Sequence, residues 1–270
     1  MTISATLDAA ATDLWVDSAA GRIFVRSWIP DAVAAGERAP ILLLHESLGC
    51  IEQWRDFPAV LSRATGRTVV AYDRRGFGRS DRLTSAPAPS FVEDEATDGF
   101  AAVREQLGIE RFVVLGHSVG GSMAVHCAAR FAQECQALVT MAAVTFVEAR
   151  TLAGIRQAKA WFADAAQRER LRRYHGERSD WVLSAWIDTW LDPGFASWSL
   201  QPALPAVRSP ALAIHGSDDE FGSEQHPQLI GQHAAGPVEQ ALLPGVGHVP
   251  HREQPRQVLE RIARFLQPIG

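Results

Sequence analysis

Three residues far apart in the chain have the types needed for acyl transfer. The first is Ser118, in the pentapeptide Gly116-His117-Ser118-Val119-Gly120, which lies between an apolar run at 112–115 and a helical pattern at 122–131. A serine hydroxyl is a weak nucleophile. It becomes reactive on a tight strand-to-helix turn, where a base can reach it and backbone N–H groups face the developing oxyanion. This GxSxG pattern predicts Ser118 as the nucleophile.

A histidine and an acid follow Ser118 in an order that suits this chemistry. His248 lies in a glycine-containing loop between the last predicted strand and the C-terminal helix, and it is the predicted general base. Asp219 follows a buried strand and is predicted to orient the imidazole. Asp218 is the competing acid, and Glu148 ranks below both.

The other histidines are expected to have structural roles or to be solvated. His117, next to the nucleophile, is predicted to pack in the structure and not to act as a base. His126 lies in a helical pattern. Four others have polar, surface-like neighbours in the sequence, and each is expected to be structural or solvated: His175, His226, His233 and His251.

Alternating strand and helix patterns would position these residues. Segments 14–16 and 22–28, broken at Ala20-Gly21, predict an antiparallel hairpin at a sheet edge. Continuous apolar runs predict buried parallel strands at 41–44, 68–72, 111–115, 137–141 and 211–215, with another at 239–243. Helices are predicted at 53–64, 91–107, 122–131, 224–233 and 254–266, the second with a capping box formed by Ser90 and Glu93. This is an α/β class chain with a doubly wound, mostly parallel sheet.

The alternation stops between residues 144 and 206, where the sequence is helical. We predict an inserted helical cap there, and a core domain made of 1–143 and 207–270. A helix at 180–191, capped by Ser179, would place Leu183, Trp186, Ile187 and Trp190 on one stripe. The cap holds five of the eight tryptophans, so Trp161, Trp186 and Trp190 are candidate substrate contacts, although ordinary packing explains them equally well.

Composition excludes several classes of function. With 47% hydrophobic residues the chain can bury a core, and its formal net charge of −5 gives no basic footprint for nucleic acid. No segment has the apolar length of a membrane span or the basic start of a signal peptide, so we expect a cytoplasmic protein with no membrane partner. The three cysteines form no metal-ligand pattern and are expected to be buried thiols. We expect no metal or cofactor, and the oligomeric state is left open, with a homodimer as one option.

Five ordered signatures resemble the α/β-hydrolase superfamily over nearly the whole chain. They are Leu44 to Gly49, Asp73 to Ser80, the Ser118 turn, Gly216 to Asp219, and Gly247-His248. The resemblance implies an α/β-hydrolase fold and an oxyanion hole formed by the N–H groups of Ser47 and Val119. The chain departs from the family's HGxxG pattern, because Glu46 replaces a glycine. Glu46 is a candidate substrate contact, but an unpaired buried carboxylate is costly, so we expect it to face solvent or Arg74 and Arg75.

The function expected is therefore a serine hydrolase acting on a small apolar or aromatic carboxylic ester. Two alternatives remain open. One is a C–C bond hydrolase or enol-lactonase of aromatic catabolism that uses the same three residues. The other is a ligand-binding protein that keeps the hydrolase fold without turnover.

Overall fold

An eight-stranded sheet organises the molecule. The computed structural model describes residues 11–19, 21–30 and 38–270. The strands are β1 (Ala11–Ser18), β2 (Gly21–Trp28), β3 (Ile41–Leu44), β4 (Val69–Tyr72), β5 (Phe112–His117), β6 (Cys135–Met141), β7 (Ala211–Gly216) and β8 (Val238–Leu243). Their order is β1-β2-β4-β3-β5-β6-β7-β8, with the last six parallel to one another. The prediction of a mostly parallel, doubly wound sheet is confirmed.

The predicted hairpin forms the antiparallel edge. β1 pairs with β2 from Ala11 opposite Trp28 to Ser18 opposite Gly21, and β2 pairs antiparallel with β4. The strands extend beyond the predicted 14–16 because solvent-facing polar residues continue the alternation. Ala20, predicted in the turn, and the first ten residues of the predicted core domain lie outside the described residues.

Ten α-helices occur in the described part of the chain. They are α1 (Phe57–Thr65), α2 (Phe91–Asp94), α3 (Gly99–Gln106), α4 (Val119–Arg130), α5 (Ala149–Trp161), α6 (Ala165–His175), α7 (Ser179–Leu191), α8 (Gln225–His233), α9 (Pro250–Glu253) and α10 (Pro255–Leu266). Helices cover both faces of the sheet. α1 and α10 belong to one apolar cluster, and α3, α4 and α8 to the other.

Two helix predictions are wrong in detail. The helix predicted at 91–107 is interrupted between α2 and α3, where Glu95 turns inward and accepts a hydrogen bond from the Tyr72 hydroxyl at 2.6 Å. The Ser90 hydroxyl bonds the Asp94 carboxylate and caps no backbone N–H, so the predicted capping box does not form. The helix predicted at 53–64 is a 3₁₀ turn, Ile51–Trp54, followed by α1, with Arg55 at φ 55° between them.

The segment between β6 and β7 holds α5, α6 and α7. α7 ends at Leu191 as predicted, but the Ser179 side chain is buried and makes no cap hydrogen bond. Leu183, Ile187 and Trp190 are buried on α7, and Trp186 is half-buried beside them. The division into a core and a cap remains a prediction.

The three cysteines are free and buried, as predicted. Burial raises the pKa of Cys50 to about 12 and that of Cys135 to about 11, and it also raises the pKa of Cys127. Searched over its described residues, the chain has no helix that is both long and apolar enough to cross a membrane.

Two glycines allow α4 to start close to the ends of two strands. A Cβ on Gly120 would lie 2.2 Å from the carbonyl oxygen of Leu44, at the end of β3. A Cβ on Gly116, in β5, would lie 2.0 Å from the carbonyl oxygen of Gly120. Since both neighbours are backbone atoms, no side-chain movement relieves such a contact. These glycines therefore fix where the turn at Ser118 sits relative to β3.

The close approach at Gly120 gives a test. Gly120→Ala should lower the free energy of unfolding by about 2–3 kcal/mol, because the new methyl group forces backbone to move in a packed core. The matched control is Gly194→Ala, where the nearest atom is the Asp192 carboxylate at 3.1 Å and a change within about 0.5 kcal/mol is expected. Urea unfolding followed by circular dichroism measures both, and equal stabilities would contradict the packing argument.

Candidate active site

Ser118 occupies the turn between β5 and α4. Its backbone has φ 55° and ψ −125°, a conformation that residues other than glycine rarely adopt. The Ser118 N–H donates to the carbonyl oxygen of Met141 at 2.9 Å, which ties the turn to the end of β6. Its carbonyl accepts from the N–H groups of Gly121 and Ser122 in the first turn of α4. The conformation is thus held from both sides, with the side chain at the carboxyl edge of the sheet.

A continuous hydrogen-bonded chain joins Ser118, His248 and Asp219. Nε2 of His248 lies 2.9 Å from the Ser118 hydroxyl, and Nδ1 lies 2.9 Å from each carboxylate oxygen of Asp219. The structure therefore brings together the three residues predicted from the sequence. Of the competing acids, Asp218 accepts a hydrogen bond from the Ser217 hydroxyl, and Glu148 accepts from the N–H and hydroxyl of Ser223.

The two charged partners shift each other's pKa. Burial disfavours charge on His248, but the hydrogen bond and negative charge of Asp219 outweigh it and raise the His248 pKa. Burial also works against the Asp219 carboxylate, but the bond to His248 and the positive charges of His248 and His215 leave its pKa lowered. Asp219 is thus held as a carboxylate next to an imidazole of increased basicity.

Sequence reasoning missed a second histidine beside Asp219. His215, at the end of β7, places Nε2 3.5 Å from the second carboxylate oxygen of Asp219 and 3.1 Å from the Gly222 carbonyl. The Asp219 carboxylate also accepts the N–H groups of Phe221 and Gly222 at 2.8 and 3.2 Å. The available signal was the position of His215 at a strand end, four residues before the acid.

Three histidines whose sequence neighbours are polar have structural positions and are not solvated. His175, His226 and His251 are buried, and burial lowers their pKa to about 4, 4 and 3. Their polar sequence neighbours face solvent while the imidazoles meet distant elements. His175 bonds the Gly78 N–H and the Leu48 carbonyl, for example, and His226 accepts the Thr145 N–H. His117 places Nε2 2.7 Å from the His248 carbonyl oxygen, in line with its predicted structural role.

One peptide unit after β3 is held from three sides. The carbonyl oxygen of Glu46 accepts from the Gly49 N–H at 3.0 Å, the Arg74 guanidinium at 3.1 Å and Nδ1 of His45 at 2.8 Å. Nε2 of His45 accepts the Arg74 N–H at 3.0 Å, which assigns the proton to Nδ1. In a planar trans peptide the N–H points opposite to the carbonyl. The orientation of the Ser47 N–H is therefore fixed by these donors.

The N–H groups of Ser47 and Val119 are both free to bind a ligand. Over the described residues, neither has a hydrogen-bond acceptor. Val119 is the first residue of α4, so its N–H adds to the partial positive charge of the helix N-terminus. Ser47 lies at the wall of the cavity that contains Ser118. Two such donors beside a nucleophile suit a developing oxyanion.

The Glu46 carboxylate was expected to face solvent or Arg74 and Arg75, and this expectation is wrong. The carboxylate turns back and accepts the Leu48 N–H at 2.6 Å, while only its backbone carbonyl meets Arg74. Glu46 lines the Ser118 cavity, and burial raises the pKa of its carboxyl despite the Leu48 N–H and nearby cations. The bond to Leu48 offsets part of the cost of burying this carboxylate.

Two cavities meet at the site. The larger, about 530 Å³, contains Ser118, His248 and Glu46 and has a mainly apolar wall that includes Val144, Ile155, Phe162, Leu171 and Phe221. The smaller, about 230 Å³, has a mixed wall, in which Arg74, Arg75, Glu95 and Asp98 lie among apolar side chains such as Phe77, Leu83, Phe91 and Trp181. Ser47, Trp186 and Trp190 line both. The site thus offers a mainly apolar compartment and a smaller one that combines apolar and charged side chains.

The three candidate tryptophans differ in surroundings. Trp186 and Trp190 stand between the two cavities, and Trp190 also packs on Phe195 and Trp198. Trp161, 52% exposed, lies at the wall of the larger cavity. All three can contact a ligand, although Trp190 also serves packing. Within the described residues, no group of three or more His, Cys, Asp or Glu side chains is arranged to hold a metal ion.

The chain is similar in sequence to a known protein family and to individual hydrolases. A family model described as the alpha/beta hydrolase fold matches residues 39–202. A (lyso)-N-acylphosphatidylethanolamine lipase from Bos taurus is 32% identical over 103 residues, which cover 38% of this chain and 30% of the lipase. The chain thus matches less than a third of that relative's length.

Two other similarities extend further along the chain. Serine hydrolase BPHL from Homo sapiens is 28% identical over 208 residues, covering 73% of this chain and 68% of that protein. The crystal structure of the enol-lactonase from Burkholderia xenovorans superposes with a TM-score of 0.71 at 20% identity, covering 94% of this chain and all of the other. At this identity the structural likeness supports the fold alone.

The electrostatics of His248 can be tested directly. Asp219→Asn removes the carboxylate that favours the imidazolium, so the His248 pKa should fall, whereas Asp218→Asn should leave it unchanged. Titration of the imidazole signals by NMR measures both variants. An unaltered His248 pKa in Asp219→Asn, or an equal fall in the control, would contradict the assigned contact.

Proposed function

This chain belongs to the alpha/beta hydrolase fold family, and we propose that it is a serine hydrolase that cleaves a carboxylic ester through an acyl-enzyme on Ser118. The observation that carries the proposal is the unbroken hydrogen-bonded chain from the Ser118 hydroxyl through His248 to Asp219, which opens on an apolar cavity. A ligand-binding protein without turnover has no need of this alignment.

In the proposed reaction His248 takes the Ser118 proton through Nε2 as the serine oxygen attacks the ester carbonyl carbon. The imidazolium then gives that proton to the leaving alcohol as the C–O bond breaks. Water, deprotonated by the same nitrogen, then attacks the acyl carbon. The bond to the Ser118 oxygen breaks, that oxygen takes the proton back from the imidazolium, and the carboxylic acid is released. Asp219 holds the proton on Nδ1 and stabilises the imidazolium. Because the base works when neutral, activity should fall as the pH drops through the raised pKa of His248.

The oxyanion is proposed to bind the N–H groups of Ser47 and Val119. The three donors on the Glu46 carbonyl support this role, because they fix the peptide plane before substrate arrives and polarise its N–H. Arg74 and His45 are then positioning residues, acting through the Glu46–Ser47 peptide without touching the substrate.

The cavities support a two-part substrate. The larger compartment suits an apolar or aromatic group, and the smaller one, whose wall combines apolar and charged side chains, suits a shorter group that carries a polar atom. Trp186 and Trp190, between the compartments, are proposed to flank the scissile bond. Product analysis on a panel of aryl esters, a lactone and a vinylogous diketone would separate ester cleavage from lactone and C–C bond cleavage.

Ser118→Ala tests the nucleophile. It should reduce turnover of a reactive aryl ester by at least about 10⁴-fold and abolish labelling by a fluorophosphonate, because no other hydroxyl contacts Nε2 of His248 among the described residues. Ser197→Ala, at an exposed serine that lines neither cavity, is the control and should keep both activities. Persistent turnover or labelling in a folded Ser118→Ala protein would refute the proposal.

Arg74→Gln tests the positioning of the oxyanion donor. We expect kcat to fall about 10- to 100-fold while KM changes less than about threefold, because the loss concerns a contact made in the transition state. Arg111→Gln, at an exposed position, should leave both constants unchanged. If the thermal midpoint of Arg74→Gln stays near that of the native protein and kcat is unaffected, the Glu46 carbonyl contacts have no catalytic role.

A further inference from the structure

The mouth of the larger cavity is bordered by a surface that is unusual in this chain. Between residues 156 and 178 there are seven basic and three acidic side chains, a local net charge of +4 in a protein whose formal net charge is −5. We define the cationic rim as the six exposed basic residues of α5 and α6: Arg156, Lys159, Arg168, Arg170, Arg172 and Arg173. Arg170 also lines the cavity itself.

Helical spacing explains why these charges face outward together. On α6, Leu171 and His175 are buried one turn apart, and the arginines occupy the remaining faces. On α5, Thr151, Gly154 and Ile155 are buried, so Arg156 and Lys159, three residues apart, share the outer face. The two helices thus present cations on the sides turned away from the core.

The acids of this segment neutralise little of the rim. Asp164 caps α6 by accepting the Ala166 N–H. Glu169 lies 3.9 Å from Arg172, both side chains being more than half exposed, and Glu177 pairs with Arg82 outside the rim. Exposed pairs of this kind contribute little. Besides Arg170 and His248, the charged residues that line the larger cavity are Glu46, Glu220 and Arg252.

Two exposed aromatic side chains lie within the cationic rim. Trp161, at the end of α5, is 52% exposed, and Tyr174, near the end of α6, is 39% exposed. Both line the larger cavity, so they stand where its opening meets solvent. Tryptophan and tyrosine next to lysine and arginine are the residue types that settle at the headgroup level of a bilayer.

We propose that the cationic rim, with Trp161 and Tyr174, docks the protein on an anionic phospholipid surface with the cavity mouth facing the lipid. Charge complementarity selects this occupant, because the rim is positive on a negative protein and an anionic leaflet attracts juxtaposed basic side chains. The aromatic rings then enter the interface. The attachment proposed is made by surface side chains and is therefore peripheral, and it departs from the expectation, drawn from the sequence, of a protein with no membrane partner.

Docking would deliver an ester that partitions into lipid directly to the apolar compartment, and this consequence rests on the proposed function. The docking itself does not depend on turnover. It is therefore tested in the Ser118→Ala protein, by co-sedimentation with vesicles of phosphatidylcholine with and without phosphatidylglycerol. We expect binding only to vesicles that contain phosphatidylglycerol, and weaker binding as salt rises.

The double variant Arg172→Gln with Arg173→Gln should bind these vesicles about 30-fold more weakly. Each basic side chain near the surface contributes about 1 kcal/mol, and the variant removes two of them. Neither arginine lines the cavity. The matched control is Arg256→Gln with Arg264→Gln, two exposed arginines of α10 that line no described cavity, and it should bind like the parent. Trp161→Ala, tested for vesicle binding alone, should also bind more weakly.

Turnover separates this proposal from the preceding one. With Ser118 intact, Arg172→Gln with Arg173→Gln should leave kcat/KM unchanged on a water-soluble aryl ester and lower the rate on an ester embedded in phosphatidylglycerol vesicles. Equal binding to both vesicle types, or equal losses in the α10 control, would overturn docking while leaving the hydrolase proposal intact. Vesicle binding in a protein that hydrolyses no ester would refute the hydrolase proposal instead.

Discussion

The site depends on one backbone constraint, the left-handed conformation of Ser118 where β5 becomes α4. A residue with a side chain resists this conformation, so the surroundings must impose it. They do so through the Ser118 N–H bond to Met141 and through Gly120, which lets α4 start against the end of β3. The same contact places the start of α4 against the backbone of Leu44 and His45, just before the Ser47 peptide. The proposed nucleophile and the two proposed oxyanion donors therefore depend on a single close approach.

Much of this arrangement could be predicted from the sequence, because its signals are local. Buried parallel strands appear as short apolar runs, and Ser118 and Asp219 each follow such a run, whereas His248 follows the partly exposed edge strand β8. Carboxyl ends of parallel strands meet at one sheet edge, so their convergence follows from topology. Asp219 is preferred over Asp218 in the sequence, and the structure shows that its carboxylate is the one that meets the imidazole. Spacing alone does not prove this, because adjacent residues of a loop point in different directions.

The errors share a physical cause, which is long-range burial of polar groups. Glu95 breaks a helix that is continuous by pattern, because its carboxylate bonds the Tyr72 hydroxyl of a distant strand. Likewise, His226 is buried against Thr145, 81 residues away in the chain. Glu46 is an exception, because its carboxylate accepts the Leu48 N–H within its own loop. For Glu95 and His226 the partner that makes burial tolerable is absent from the local sequence, so local polarity predicts exposure and is misleading.

The burial of the three thiols has a practical side. Cys50, Cys127 and Cys135 are enclosed and their pKa values are raised, so little thiolate exists near neutral pH and maleimides have little to react with. The three natural cysteines are therefore expected to react little during site-directed labelling. A cysteine substituted at an exposed helix position would carry a fluorophore or spin label selectively, without prior removal of the natural cysteines.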